Sequence, residues 1–245
     1  MSECAVRVRG LHKRFRVLRR QRTVLRTIAA LRDPSALRRE LQALDDVSFE
    51  IARGEKVALV GRNGSGKTTL LRVLAGIYEC TSGELWMADP PRPLFSHAIG
   101  LAGDLPVESN IFLFGAMHEM DRAFLRDRVE PILALADLAD LRFALLKELS
   151  TGQRQRLALS VFFQSPSPFL AFDEAMTNVD QGFLHQCERY FASLAASDRT
   201  VLMTGHDADW LRRHCTRALW LDAGRLRMDG PIDEVLDAYG RSFAS

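Results

Sequence analysis

A few short stretches of the chain are apolar almost without interruption, and they set its architecture. Residues 56–61 read KVALVG, 168–172 PFLAF, 200–204 TVLMT and 218–222 ALWLD. Such runs suit strands covered on both faces, as in a parallel sheet. Two other stretches alternate instead: Val6 and Val8 with Arg7 and Arg9, then Val47, Phe49 and Ile51 with Asp46, Ser48 and Glu50. Period two with one polar face predicts half-exposed strands. Helical periodicity predicts a helix over 67–75, mostly helix over 107–147, and another helix over 152–164. Strands separated by helices in this order predict an α/β core with a helical insertion.

Between the two alternating strands lies FRVLRRQRTVLRTIAALRDPSALRRELQ, residues 15–42. Val17, Leu18, Val24, Leu25, Ile28 and Leu31 share one helical face, opposite Arg19, Arg22 and Arg26. Asp33-Pro34 breaks that helix and opens a second one, with Leu37, Leu41 and Leu44 as its apolar stripe. The pattern predicts a basic helical insertion over about 16–42. Charge sharpens the picture here and nowhere else. The whole chain has 33 basic and 31 acidic residues, so no net field draws it to polyanions. Over 7–39, however, twelve Lys and Arg residues stand against Asp33 alone. No aromatics interleave with these arginines, which argues against a single-stranded nucleic-acid surface. The four cysteines are dispersed without metal spacing and read as free thiols. No run of about 18 apolar residues would span a bilayer. The start lacks the apolar stretch of a secretory signal, so a soluble or peripheral protein is expected.

The chemistry begins where the first apolar strand ends. GRNGSGKT, residues 61–68, matches the phosphate-binding pattern G-x-x-x-x-G-K-S/T between a strand and a helix. Glycines let backbone N–H groups turn toward phosphate oxygens, and the helix N-terminus adds partial positive charge. Gly61, Arg62, Asn63, Gly64, Ser65, Gly66, Lys67, Thr68 and Thr69 are therefore the candidate nucleotide cradle. Lys67 is expected to reach the β- and γ-phosphates, and the Thr68 hydroxyl to ligate Mg²⁺. PFLAFDE then delivers two carboxylates at the end of a buried strand, where open α/β sheets bind ligands. Asp173 suits the Mg²⁺ shell, and Glu174 can polarise a water attacking the γ-phosphate.

LSTGQRQRLALS, residues 149–160, resembles the LSGGQ signature of ATP-binding-cassette ATPases, with Thr151 in place of the first glycine. The motifs run in family order from Gly61 to His206, and the resemblance extends over nearly the whole chain. It implies a single nucleotide-binding domain over 1–245: a P-loop NTPase core, an antiparallel β subdomain and a helical subdomain over about 100–165. It further implies ATP hydrolysis with Mg²⁺. Ser150, Thr151, Gly152 and Gln153 would open a helix whose N-terminus caps the ATP of a second copy, so a two-fold homodimer is implied. TNVD resembles the D-loop that ends in Asp180, and His206 resembles the switch histidine at the γ-phosphate. With Glu174 present, both composite sites are expected to hydrolyse ATP.

There are departures from the family pattern. The stretch AIGLAGDLPVESNIF lacks the glutamine usual before the helical subdomain; either it is a plain loop or Asp104 or Glu108 stands in. The base-stacking aromatic near the first strand falls to Phe15, which reads equally as an ordinary core residue.

One cassette without a membrane span implies a separate permease, docked against residues 100–125. The arginine-rich stretch before ALDDVSFEI is similar to that of cassettes exporting capsule or O-antigen polysaccharide, as are GRNGSGKTTLLRVLAGIYECTSGEL and the ending from TVLMTGHD to DEVLDAY. TNVD departs from the capsule-like D-loop. Ending at Ser245, the chain is expected to lack the carbohydrate-binding extension of some O-antigen members. The implied protein is peripheral on the cytoplasmic face of the cytoplasmic membrane and exports a surface polysaccharide or glycolipid. Residues 16–42 would meet a partner, anionic lipid or the polysaccharide itself. The alternatives are export of another cargo (lipid, peptide or drug) and a soluble ATPase using the basic segment to bind nucleic acid.

Overall fold

The structure, a computed structural model, describes residues 3–18, 38–95, 100–174, 179 and 181–243. A six-stranded sheet in the order β5-β6-β7-β3-β8-β9 forms its centre, with β3 Lys56–Val60, β5 Arg92–Phe95, β6 Phe169–Asp173, β7 Thr200–Thr204, β8 Arg217–Asp222 and β9 Arg225–Pro231. All neighbours run parallel except β9, which returns antiparallel beside β8. Each residue of β3, β6 and β7 is buried, as their unbroken apolar sequences require.

Side-chain alternation along β3 splits the core in two. Val57 and Leu59 pack with the helix Lys67–Leu74 and with a second sheet, β2-β1-β4, formed by β1 Cys4–Leu18, β2 Arg38–Ala52 and β4 Ser82–Met87. Ala58 and Val60 face the opposite cluster, which continues into the helices Val107–Met117, Val129–Ala136 and Thr151–Phe162. The helix Lys67–Leu74 thus lies sandwiched between two sheets, with Leu70, Leu71, Val73 and Leu74 buried.

The ends of the predicted helical insertion are strands. Val17 and Leu18 belong to β1, and Leu41 and Leu44 to β2, where the pairs Phe15↔Leu41, Arg16↔Glu40 and Val17↔Arg39 extend the antiparallel ladder. Leu37, Leu41 and Leu44 fit a helical stripe, but Leu41, Ala43 and the intervening Glu40 and Gln42 equally fit period two. Pairing with β1 decides between them: it satisfies the backbone of both strands and buries Leu44 completely. Residues 19–37, with the rest of the predicted insertion, lie outside the described residues. Strands β4, β5 and β9 were not foreseen; β5 is four residues long, and β9 is half exposed.

Over 107–162 the chain is helical with 3₁₀ turns at Ala139–Leu141 and Leu146–Glu148. Buried Asn110 holds the loop before the first helix: its Oδ1 accepts from Ala102 N at 2.7 Å, while Nδ2 donates to the Ala102, Leu105 and Pro106 carbonyls. His118 sits edge-on to Phe114 and Phe162, with ring centroids at 4.6 and 5.1 Å. Burial, with a smaller contribution from the Arg92 guanidinium, pushes its imidazole down to about 4. Below pH 6.5 the unfolded chain therefore takes up a proton here that the folded chain refuses, and stability falls as pH drops through that window. His214, held low chiefly by burial, acts in the same direction. His118→Leu should lose about 2 kcal/mol less stability than wild type between pH 7 and pH 5, read by urea unfolding at each pH.

Candidate nucleotide site

The register of the central sheet places three loops side by side. Asp173 at the end of β6 lies beside Thr204 at the end of β7, and Thr204 lies beside Leu59 near the end of β3. Residues 61–66, 174 and 205–206 therefore leave the sheet at one end of its strands, although they are far apart in sequence. This is the carboxyl end of a parallel sheet, where such folds build their sites.

The loop after β3 wraps around Lys67. Its ammonium, on a residue 6% exposed, donates to the Gly61 carbonyl at 2.7 Å and the Arg62 carbonyl at 3.3 Å. Burial lowers its pKa, while the charges of Glu174 and Asp173 oppose that shift. A cation held in a low-dielectric loop attracts phosphate oxygens strongly. Gly66 takes φ +108° at the mouth of the helix Lys67–Leu74, a conformation side chains disfavour. Thr68 and Thr69 face the adjoining cleft, together with Asn63, Gly64 and Gly66. Ser65 is buried, and its hydroxyl has no hydrogen-bond partner among the described residues. Arg62 turns the other way, its guanidinium 5.4 Å from the Phe243 ring, in a hollow shared with Gly61, Asn63, His206 and Tyr239.

Asp173 is buried and accepts a hydrogen bond from the Thr204 hydroxyl at 2.9 Å. Glu174 turns out of the strand with φ +52° and lies 2.8 Å from His206, Oε1 to Nε2. Glu174 also lines the cleft that holds Lys67 and Thr68. Thr68 and Asp173 present oxygen donors, the ligand type a hard divalent cation takes alongside phosphate and water. Among the described residues no cluster of three or more His, Cys, Asp or Glu side chains forms a metal cage. A Mg²⁺ carried in by the nucleotide's own phosphates fits this donor set.

The cleft measures about 520 Å³. Its far wall is the β1–β2 ribbon: Phe15, Leu41, Gln42 and Ala43. Phe15 is half-buried beside Tyr78, ring centroids 5.3 Å apart, so it belongs to the cleft wall and not to either buried core. Leu41, Gln42 and Ala43 belong to a stretch whose helical spacing of Leu37, Leu41 and Leu44 hides them; the alternation of Leu41 and Ala43 with Gln42 is the signal that places them on a strand. Neither Asp104 nor Glu108 lines this cleft. Asp104 accepts from Lys147 Nζ at 3.0 Å and Glu108 from Arg142 Nε at 2.6 Å, on the helical side of the molecule. The Arg142 hydrogen bond holds the Glu108 carboxyl below its usual range.

Ser150 caps the helix Thr151–Phe162: its hydroxyl accepts from Gln153 N at 3.2 Å, while Ser150 N donates to the Gln153 side chain at 2.9 Å. This reciprocal box leaves the first turn rigid and open. None of Ser150, Thr151, Gly152 or Gln153 lines the cleft of its own chain. Asp180, with 175–178 before it, lies outside the described residues.

The first two glycines of the loop carry different constraints. A Cβ on Gly61 would overlap the Leu221 carbonyl oxygen and lie 2.6 Å from Ser65 Oγ, whereas a Cβ on Gly64 meets nothing. Gly61→Ala should cost about 3 kcal/mol or more through displaced backbone. Gly64→Ala, with φ +81°, should cost about 1 kcal/mol from its left-handed conformation alone. Thermal or urea unfolding of the two variants checks the ordering.

Residues 44–177 match the family model described as "ABC transporter". The chain is 32% identical over 197 residues to the "Teichoic acids export ATP-binding protein TagH" of Listeria innocua, a match covering 80% of this chain and 58% of that protein. It is 28% identical over 206 residues to the "O-antigen export system ATP-binding protein RfbB" of Klebsiella pneumoniae, covering 84% of each. In three dimensions it superposes on one chain of the structure described as "Dimeric structure of a post-hydrolysis state of the ATP-binding cassette MJ0796 bound to ADP and Pi", with TM-score 0.72, 20% identity, and coverage of 93% of this chain and 98% of that one. The family match spans the phosphate loop, the helical region and the Asp173–Glu174 pair at the carboxyl end of the sheet, and the chain belongs to the ABC transporter family.

Proposed function

We propose that this chain is the ATP-hydrolysing subunit of an ABC exporter that moves a cell-surface polysaccharide or glycolipid across the cytoplasmic membrane. The observation that carries the enzymatic part is the convergence of Lys67, Thr68 and Glu174 on one cleft, with Asp173 and His206 beside them. Cargo and direction rest on the similarity to proteins named for teichoic acid and O-antigen export.

In this reading Phe15 and Leu41 receive the base, and Lys67 with the loop N–H groups receives the β- and γ-phosphates. Thr68 and Asp173 would hold Mg²⁺, which would offset phosphate charge. Glu174 takes the proton of the attacking water, and His206, in contact with Glu174, orients it and faces the γ-phosphate. The capped turn at Ser150–Gln153 serves the cleft of a second copy, since it does not reach its own; two chains then enclose two nucleotides.

The permease is expected at the apolar groove between β5 and the helix Val107–Met117. That groove, of about 340 Å³, is lined by Ile77, Leu94, Phe95, Phe114 and Met117, with Ile77 and Met117 each 53% exposed. No described helix is long and apolar enough to cross a membrane, which fits a peripheral subunit on the cytoplasmic face. The basic residues of 16–42 would meet the permease, anionic lipid or the anionic cargo.

Glu174→Gln should retain ATP affinity, lower turnover by about 10²–10⁴-fold and accumulate a closed dimer with Mg·ATP. Wild-type hydrolysis by this variant would remove Glu174 from the base role. Lys67→Ala should weaken nucleotide binding at least about tenfold by equilibrium titration. Tagged Glu174→Gln protein, recovered from gently solubilised native membranes with Mg·ATP, should bring down a multi-span protein. Retention with nucleic acid in the soluble fraction would instead support a soluble ATPase.

A further inference from the structure

The Thr204 side chain touches both acidic residues of the site, at a point the sequence reading passed over. Its hydroxyl donates to Asp173 Oδ1 at 2.9 Å and accepts from the Glu174 backbone N–H at 2.9 Å. Thr204 is 4% exposed and Asp173 5%, so water does not compete for either bond. A hydroxyl has one proton to give. Here it goes to the carboxylate, and a lone pair takes the N–H.

We infer that Thr204 is a positioning residue for hydrolysis, locking the Asp173 carboxylate and the Glu174 turn into one rigid unit. Two constraints meet at this hydroxyl. With Oδ1 of Asp173 engaged, rotation of the carboxylate is fixed and Oδ2 remains for a ligand. Glu174 meanwhile holds φ +52°, in the left-handed region that a glutamate seldom adopts. The bond from its N–H to Thr204 secures that turn, and from it the Glu174 carboxylate reaches His206 at 2.8 Å. Thr204 touches no reacting atom; it acts through the two carboxylates. Valine would keep the shape and β-branching while removing the hydroxyl. It would leave the Glu174 N–H without an acceptor and face Asp173 with a methyl group.

The inference rests on the ATP-hydrolysis reading above, and the experiment separates the two. Wild type, Thr204→Val, Thr204→Ser and Thr204→Ala are compared for kcat and KM with ATP. Binding of a fluorescent ATP analogue is titrated with and without Mg²⁺, and Tm is recorded. Thr204→Val should lower kcat about 10–100-fold while KM and Mg²⁺-free nucleotide affinity stay within about threefold. The Mg²⁺ concentration giving half the metal-dependent gain in binding should rise about tenfold. Thr204→Ser, which keeps the hydroxyl, should restore both readouts. If Thr204→Val does not fold, Thr204→Ala supplies the same comparison. A valine variant with wild-type kcat and Mg²⁺ response overturns the inference. So does a serine variant that fails like valine, or a parallel loss of kcat and metal-free affinity, since each makes Thr204 a packing residue only. Absence of ATP turnover and binding in wild type would instead refute the hydrolysis reading itself.

Discussion

The parallel pairing of β3, β7 and β6 is the constraint on which the site depends. Because Leu59, Thr204 and Asp173 are laddered at one level, the phosphate loop, the acidic pair and His206 emerge beside one another without a long loop to span the gap. The flanks of the site come from the same stacking. Gly61 is pressed against the end of β8 at Leu221, and Gly66 against the Ala43 carbonyl of β2. Both sheets therefore shape the turn, and its backbone N–H groups are fixed by neighbours on either side.

Charge is held in this arrangement with little freedom. Lys67 is buried and bonded to carbonyls of its own loop, with Asp173 and Glu174 opposing the cost of its burial. Asp173 is buried with a hydroxyl partner, and Glu174 is fixed between the Thr204 bond and His206. Groups oriented before substrate arrives need little reorganisation when charge develops on a transferring phosphoryl group. The cost is local, expressed as a left-handed glutamate and as Gly61, where a Cβ would overlap the Leu221 carbonyl oxygen.

Two surfaces distinguish the outside of the molecule from this interior. The β1–β2 ribbon carries Phe15, Leu41 and Gln42 to the cleft, and Arg14 Nε donates to the Gln42 side chain at 2.8 Å. On the helical side, the apolar groove between β5 and the helix Val107–Met117 leaves Ile77 and Met117 in contact with solvent. Asp104 and Glu108 lie on that side too, committed to Lys147 and Arg142.

Motifs whose chemistry is local were legible in the residues. GRNGSGKT between an apolar run and a helix, an apolar run ending in Asp173–Glu174, and Ser150 with Gln153 three positions on each contain their own physical reason at short range. The unbroken runs of β3, β6 and β7 announced burial on both faces, and the alternation of Val47, Phe49 and Ile51 announced one wet face. Residues 38–44 were not legible, because Leu37, Leu41 and Leu44 satisfy a helical period while Leu41 and Ala43 satisfy a strand's. Hydrogen bonds to β1, a partner more than twenty residues away, break that tie. The same holds for Thr204, whose partners lie 30 and 31 positions earlier. By itself the sequence determined which chemistry this chain carries, since that depends on residue types at close spacing. Only the tertiary structure decided which groups meet, because strand order and register are set by backbone pairing and burial between segments remote along the chain.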